Sequence, residues 1–209
     1  MRSTEPHDRT ASDEATLAFY DREAETYAAR REAGSSRALA AFLSRLAPCA
    51  RILELGCGGG QEAEAMIAAG FEVTPTDGSP ALARIAEARL GRPVQVMRFN
   101  ELDAQAEYDG VWASACLLHV PAAGLPDVLG RIHRALRPGG VFHASFKGGE
   151  GEGRDDLGRY YNFPRRDELE AAYRAAAAWR ELKISEGAGG GYDGVERTWF
   201  LVAAVKGDR

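Results

Sequence analysis

The run Glu54-Leu55-Gly56-Cys57-Gly58-Gly59-Gly60 sets an acid ahead of glycines in the order E-x-G-x-G-x-G. Its glycines permit a sharp turn off a strand and let bare backbone approach a ligand closely. A side chain at Gly56 or Gly58 would fill that space. Asp77 follows about twenty residues later, the separation at which a carboxylate can accept hydrogen bonds from both hydroxyls of a ribose. The chemistry implied is the grip of a nucleoside-like ligand, by main chain on one side and a carboxylate on the other.

A dinucleotide-binding turn also joins glycines to a following acid. Its order, G-x-G-x-x-G, needs glycine at position 61, which is Gln61. A glycine-rich loop that binds nothing is the plainer reading, against which stands the agreement of acids, glycines and strand pattern.

His119 follows Ala115-Cys116-Leu117-Leu118. A free histidine titrates close to neutrality, which makes His119 the strongest candidate for accepting a proton, although a capping or packing role suits it too. Cys116 reads as a small buried residue, because nothing near it marks an activated thiolate. His133 and His143 fall within a helix and a strand and read as structural. The stretch from Lys147 to Asn162 is rich in glycine and charge and reads as one long irregular connection, unusual unless functional or disordered. Arg154, Tyr160 and Tyr161 are its candidate contacts to a substrate.

These residues need elements to hold them. Residues 1–11 read as a frayed terminus, followed by helices over 12–47 that are interrupted at Gly34-Ser35-Ser36. The period then changes. Strands are expected over 51–55, 71–76, 93–97, 108–114 and 141–146. Helices are expected through Met66 to Ala69 and over 81–89, 125–136 and 165–178. Arg137-Pro138-Gly139-Gly140 reads as a turn, and Pro80 suits the first turn of a helix. Two final strands, 180–185 and 197–205, flank Gly187 to Gly194, a run that includes Tyr192 and Asp193 and reads as a flexible connection. With no helix between them they should pair antiparallel. Strands alternating with helices mean an α/β fold, a mostly parallel sheet with helices on both faces.

The 209 residues suit a single domain, with hydrophobic residues at 45% and charged residues at 27%. A net charge of −5 makes nucleic acid a poor partner. Cys49, Cys57 and Cys116 lack metal-site spacing and read as reduced thiols, so no metal is expected. The first thirty residues carry charge throughout and no signal-like apolar stretch, and no run approaches the roughly 20 residues that cross a bilayer. A soluble, cytoplasmic protein that does not bind membranes is expected, as monomer or homodimer.

Taken together, Ile52 to Gly60, Asp77-Gly78-Ser79, Tyr108-Asp109-Gly110-Val111-Trp112 and Leu136-Arg137-Pro138-Gly139-Gly140 resemble the class I S-adenosylmethionine-dependent methyltransferases. The resemblance runs from about Phe19 to Lys206. It implies a Rossmann-like seven-stranded sheet in the order 3-2-1-4-5-7-6, strand 7 antiparallel, with S-adenosylmethionine across the carboxyl ends of strands 1, 2 and 4. By position, Glu54, Gly56 and Gly58, with Cys57 between them, would hold the methionine end. Asp77 would take the ribose hydroxyls, and Gly78 and Ser79 would line the adenine side. Asn100 stands where the family often carries a polar residue near the adenine amine, and Ala115 would touch the methionine moiety. Phe19 to Tyr27 looks like a lid helix, with Tyr27 near the cofactor carboxylate or sulfonium. The activity implied is methyl transfer to a small-molecule acceptor, leaving S-adenosylhomocysteine. Two rivals stand beside it: a non-catalytic S-adenosylmethionine-binding regulator, whose glycine turn would look alike, and an NAD-dependent oxidoreductase, against which Gln61 argues.

Overall fold

The computed structural model describes residues 12–30, 37–192 and 194–208. The expected frayed terminus over 1–11, the break at Gly34-Ser35-Ser36 and Asp193 all lie outside the described residues.

The chain runs α1 (Glu14–Arg22), α2 (Ala24–Arg30), α3 (Arg37–Leu43), β1 (Arg51–Leu55), α4 (Gln61–Ala68), β2 (Glu72–Asp77), α5 (Pro80–Leu90), β3 (Gln95–Val96) and β4 (Tyr108–Ala113). It continues through α6 (Leu125–Ala135), β5 (Leu136–Lys147), β6 (Glu152–Arg154), β7 (Tyr160–Asn162), α7 (Arg166–Ala176), β8 (Trp179–Gly190) and β9 (Glu196–Lys206). Seven strands form one sheet in the order β3-β2-β1-β4-β5-β9-β8. The first five pair parallel, and β9 runs antiparallel to both β5 and β8. Counting only strands of this sheet, the order is the expected 3-2-1-4-5-7-6.

The central strands β1, β4 and β5 are largely apolar on both faces, as buried parallel strands must be. Leu53, Leu55, Val111, Ala113, Phe142 and Ala144 join one core with Ile132 of α6 and Tyr173 of α7. The alternate residues Ile52, Trp112 and Val141 join another with Phe42 of α3 and Met66 of α4. Asp109 secures the end of the sheet opposite the glycine turn. It accepts from the Arg51 amide at 2.8 Å and pairs with Arg137 at 2.8 Å. His143 stacks on Trp112 with ring centroids 4.2 Å apart.

Four expectations need correction. Residues 147–162 are not one irregular loop, because β6 and β7 form a hairpin in which Glu152 faces Asn162 and Arg154 faces Tyr160. Its turn is closed by Asp155, whose carboxylate accepts from the Leu157 and Arg159 amides. Gly187 to Gly190 are not a flexible connection but the end of β8, paired with Glu196 to Trp199 of β9. The Trp199 indole lies over this backbone and donates to the Gly189 carbonyl at 3.1 Å. Arg137 to Gly140 fall within β5 as an irregularity, with a register shift opposite Tyr108 and Gly110. The lid is also two helices rather than one, parted at Glu23.

Candidate functional site

The carboxyl ends of β1, β2 and β4 converge on the glycine turn. Gly56 and Gly58 have φ of +65° and +57°, the left-handed region in which a side chain costs energy. Each also lacks room for a Cβ, for a different reason. At Gly56 the added atom would stand 2.6 Å from the Cys116 Cβ, so that glycine serves packing between two loops and Cys116 is the small residue opposite it. At Gly58 it would meet the Tyr27 ring at 3.3 Å. Cys57 faces away from this side, into a cluster with Ala83, Ala86 and Val94.

Asp77 ends β2 and is buried. Its two oxygens accept from the amides of Gly58 and Ser79, each at 2.8 Å. Burial pushes its pKa up to about 6, a rise that hydrogen bonds from the Ser79, Gly58 and Gly78 amides oppose. With three amides already on it, the carboxylate keeps about one acceptor site for a ligand hydroxyl. Ser79 caps α5, accepting from the Leu82 amide at 3.2 Å. Glu54 is buried inside β1.

The N-terminal helices fold over this turn. Asp21 of α1 accepts from the Ser79 hydroxyl at 3.0 Å and the Ala81 amide at 2.9 Å, where its charge also suits the amino end of α5. Gln61, the residue that breaks the dinucleotide order, donates to the Ala28 carbonyl of α2 at 2.9 Å. Leu17 covers Gly78, leaving a Cβ there only 2.9 Å from its Cδ2.

Two spaces lie beneath these helices. A narrow cavity of about 80 Å³ has Gly56, Gly58, Asp77, Gly78 and Ala115 in its walls. A wider cleft of about 610 Å³ has Lys147, Arg159, Tyr161, Tyr192 and Trp199 in its walls. They share five residues, Tyr20, Tyr27, Ser114, Ala115 and His119, and so meet along one boundary. Ala115 at that boundary has φ of +51°, uncommon for alanine, and its amide donates to the Ser145 hydroxyl at 2.8 Å.

His119 occupies this junction in a defined state. Its Nδ1 lies 2.6 Å from the Tyr160 carbonyl oxygen, which can only accept, so Nδ1 carries the proton. Nε2 is then bare and accepts from the Tyr20 hydroxyl at 2.9 Å. Tyr20 in turn accepts from Arg159 at 3.1 Å. Burial, aided by nearby Arg159 and Lys147, lowers the His119 pKa to about 4, against the raising effect of the Tyr160 hydrogen bond. At pH 7 the ring would hold a second proton only about once in a thousand.

The other residues named from sequence divide. Tyr161 lines the cleft. Arg154 instead pairs with Asp13 at 2.7 Å, tying the hairpin to the lid, and the Tyr160 hydroxyl donates to Glu152 within the hairpin. Asn100 sits in a short 3-10 turn; its neighbours Met97, Arg98 and Phe99 line the narrow cavity, and Asn100 does not. Sequence reasoning missed Tyr20, Lys147, Arg159 and Tyr192. Tyr20 lay within the motif read as a lid, whereas the burial that marks Lys147 and Arg159 arises only in the fold and left no sequence signal.

A family model described as a methyltransferase domain matches residues 27–172. The chain is 33% identical over 102 residues to an uncharacterized methyltransferase of Synechocystis, covering 46% of this chain and 47% of that protein. It is 34% identical over 108 residues to the ubiquinone biosynthesis O-methyltransferase of Xanthomonas campestris, covering 47% of this chain and 43% of that protein. The chain thus spans less than half the length of these curated relatives. Its fold is similar to that of the 1,6-didemethyltoxoflavin-N1-methyltransferase of Burkholderia thailandensis, solved with 1,6-didemethyltoxoflavin and S-adenosylhomocysteine. That likeness has a TM-score of 0.71 at 23% identity and covers 100% of this chain and 93% of the other.

Proposed function

The chain belongs to the methyltransferase-domain family, and from that premise we propose that it transfers a methyl group from S-adenosylmethionine to a small-molecule acceptor. The observation that carries this reading is the meeting of two spaces at one boundary. The narrow one has the glycine turn and Asp77 in its walls, the groups an adenosyl ligand requires, and at about 80 Å³ it must widen beneath the N-terminal helices to admit the whole cofactor. The wide one is within the size range of small-molecule pockets, roughly 300–1,000 Å³.

The residues fit the cofactor. Gly56 and Gly58 leave the turn free of side chains, Asp77 keeps an acceptor site for the ribose, and Gly78 and Ala115 border the same cavity. Tyr27 stands over Gly58 at the boundary. When bound, S-adenosylmethionine would supply a methyl group on a sulfonium, open to in-line attack at the methyl carbon with the sulfur leaving as the thioether of S-adenosylhomocysteine. The protein's part is alignment: ligands in the two spaces can face each other only past Tyr20, Tyr27, Ser114, Ala115 and His119.

His119 belongs to the acceptor side of that boundary. It holds the Tyr20 hydroxyl in place. For an acceptor that arrives with its proton, Nε2 is the sink behind Tyr20: the tyrosine takes the acceptor's proton as it gives its own to the imidazole. A pKa of about 4 restricts that relay to acidic protons.

Calorimetry with S-adenosylhomocysteine tests the cofactor site, with release of that product from metabolite pools as the assay for an acceptor. Micromolar binding is expected. No heat with either S-adenosylmethionine or its product would remove the proposal.

A further inference from the structure

We infer that the acceptor is a flat, anionic small molecule held in the wide cleft against Lys147 and Arg159, an inference that rests on reading the narrow cavity as the cofactor's. Both cationic side chains line the cleft, and both are nearly sealed from solvent, at 2% and 1% exposure. Cations at that depth are costly and must be matched by their surroundings. Arg159 is matched by Asp155 at 2.6 Å and by the faces of Tyr192 and Tyr161, with centroids at 5.0 and 5.3 Å. The Lys147 ammonium lies 4.3 Å from the Tyr161 centroid and 6.0 Å from that of Trp199.

Aromatic walls of this kind are the usual receptor for a ligand cation. Here the protein's own cations already use those ring faces, so an incoming amine would meet two like charges. Among the described residues, the walls of the cleft carry no aspartate or glutamate. Because Asp155 already offsets much of the Arg159 charge, an anion gains chiefly from Lys147, and the rings favour a flat one. His119 feels the same field, since Arg159 and Lys147 both oppose its protonation. An acceptor that binds already ionised needs no base, which suits a histidine so reluctant to take a proton.

The test uses the protein saturated with S-adenosylhomocysteine, whose own binding is measured first by calorimetry. A panel of bicyclic aromatic fragments in three matched classes, carboxylates, carboxamides and aminomethyl compounds, is then ranked by ligand-observed NMR. Carboxylates are expected to bind at least tenfold tighter than their carboxamides, with the amines weakest. Lys147→Met should shrink that preference at least threefold with S-adenosylhomocysteine affinity held within threefold, and Lys147→Arg should keep it. Should Lys147→Met fail to fold, the wild-type ranking of the three classes decides alone, because a cationic cleft must order them carboxylate, carboxamide, amine. Carboxamides or amines binding as tightly as carboxylates, or no carboxylate binding, would overturn the inference alone. Failure of wild type to bind S-adenosylhomocysteine would overturn the cofactor reading, and this inference with it.

Discussion

The Gly58 amide donates to the Asp77 carboxylate across 2.8 Å, joining the tip of the glycine turn to the end of the second strand. One residue is therefore both a brace for the turn and the acceptor proposed for the ribose. Asp77→Ala should weaken S-adenosylhomocysteine binding by roughly 1–3 kcal/mol, the range for a hydrogen bond to a charged group plus the desolvation left behind. Calorimetry checks this, and unchanged affinity would contradict the ribose role.

The same carboxylate makes binding depend on pH. Its pKa is raised to about 6, so the folded protein holds the proton that a free aspartate would already have lost. Ribose hydroxyls donate to the ionised form, so binding and protonation compete. Affinity should be full above pH 7 and fall by up to about tenfold at pH 5, where roughly one carboxylate in eleven is ionised. Asp77→Asn should flatten that dependence. A titration series in matched buffers at pH 5, 6, 7 and 8 would decide it.

Gly56 and Gly58 should fail in different ways. Gly56→Ala places a Cβ against Cys116 and forces a left-handed alanine, costs of roughly 2–5 kcal/mol together. It should lower the melting temperature sharply, and Cys116→Gly should restore part of the loss. Gly58→Ala meets only a tyrosine ring, so its larger effect should be on S-adenosylhomocysteine affinity. Equal melting temperatures for the two variants would contradict the packing role of Gly56.

What was legible in sequence was local. The glycine turn, Asp77 and the Ser79-Pro80 helix start are each encoded within a few neighbouring residues, and the change of period exposes the alternation of strand and helix. The sheet order is less local and came with the family resemblance. Residues 187–190 were misread because glycine ordinarily interrupts a strand; here Trp199, on the partner strand, covers them. The acceptor cleft was harder still. Tyr20 meets His119 across 99 positions and Arg159 across 139, and no spacing rule joins such residues before the sheet is built.

The pair formed by Tyr20 and His119 is the most direct test of the junction. Buried and tied through Nδ1–H to the Tyr160 carbonyl, the imidazole titrates near 4 in place of 6.5. The folded state thus favours the neutral ring, and its contribution to stability is lost as pH falls from about 6.5 toward 4. Turnover should show no inflection from this residue between pH 5.5 and 8, a range of roughly neutral pH in which a free histidine would titrate. His119→Ala and Tyr20→Phe should each lower turnover at least tenfold with S-adenosylhomocysteine affinity within threefold, since the pair borders the cavity without bracing Asp77. His119→Gln, able to keep an acceptor opposite Tyr20, should recover part of the rate. An inflection near pH 6.5 that vanishes in His119→Ala would show that the ring takes up protons freely, contrary to its buried setting. Full turnover in both variants would place the boundary between the two ligands elsewhere.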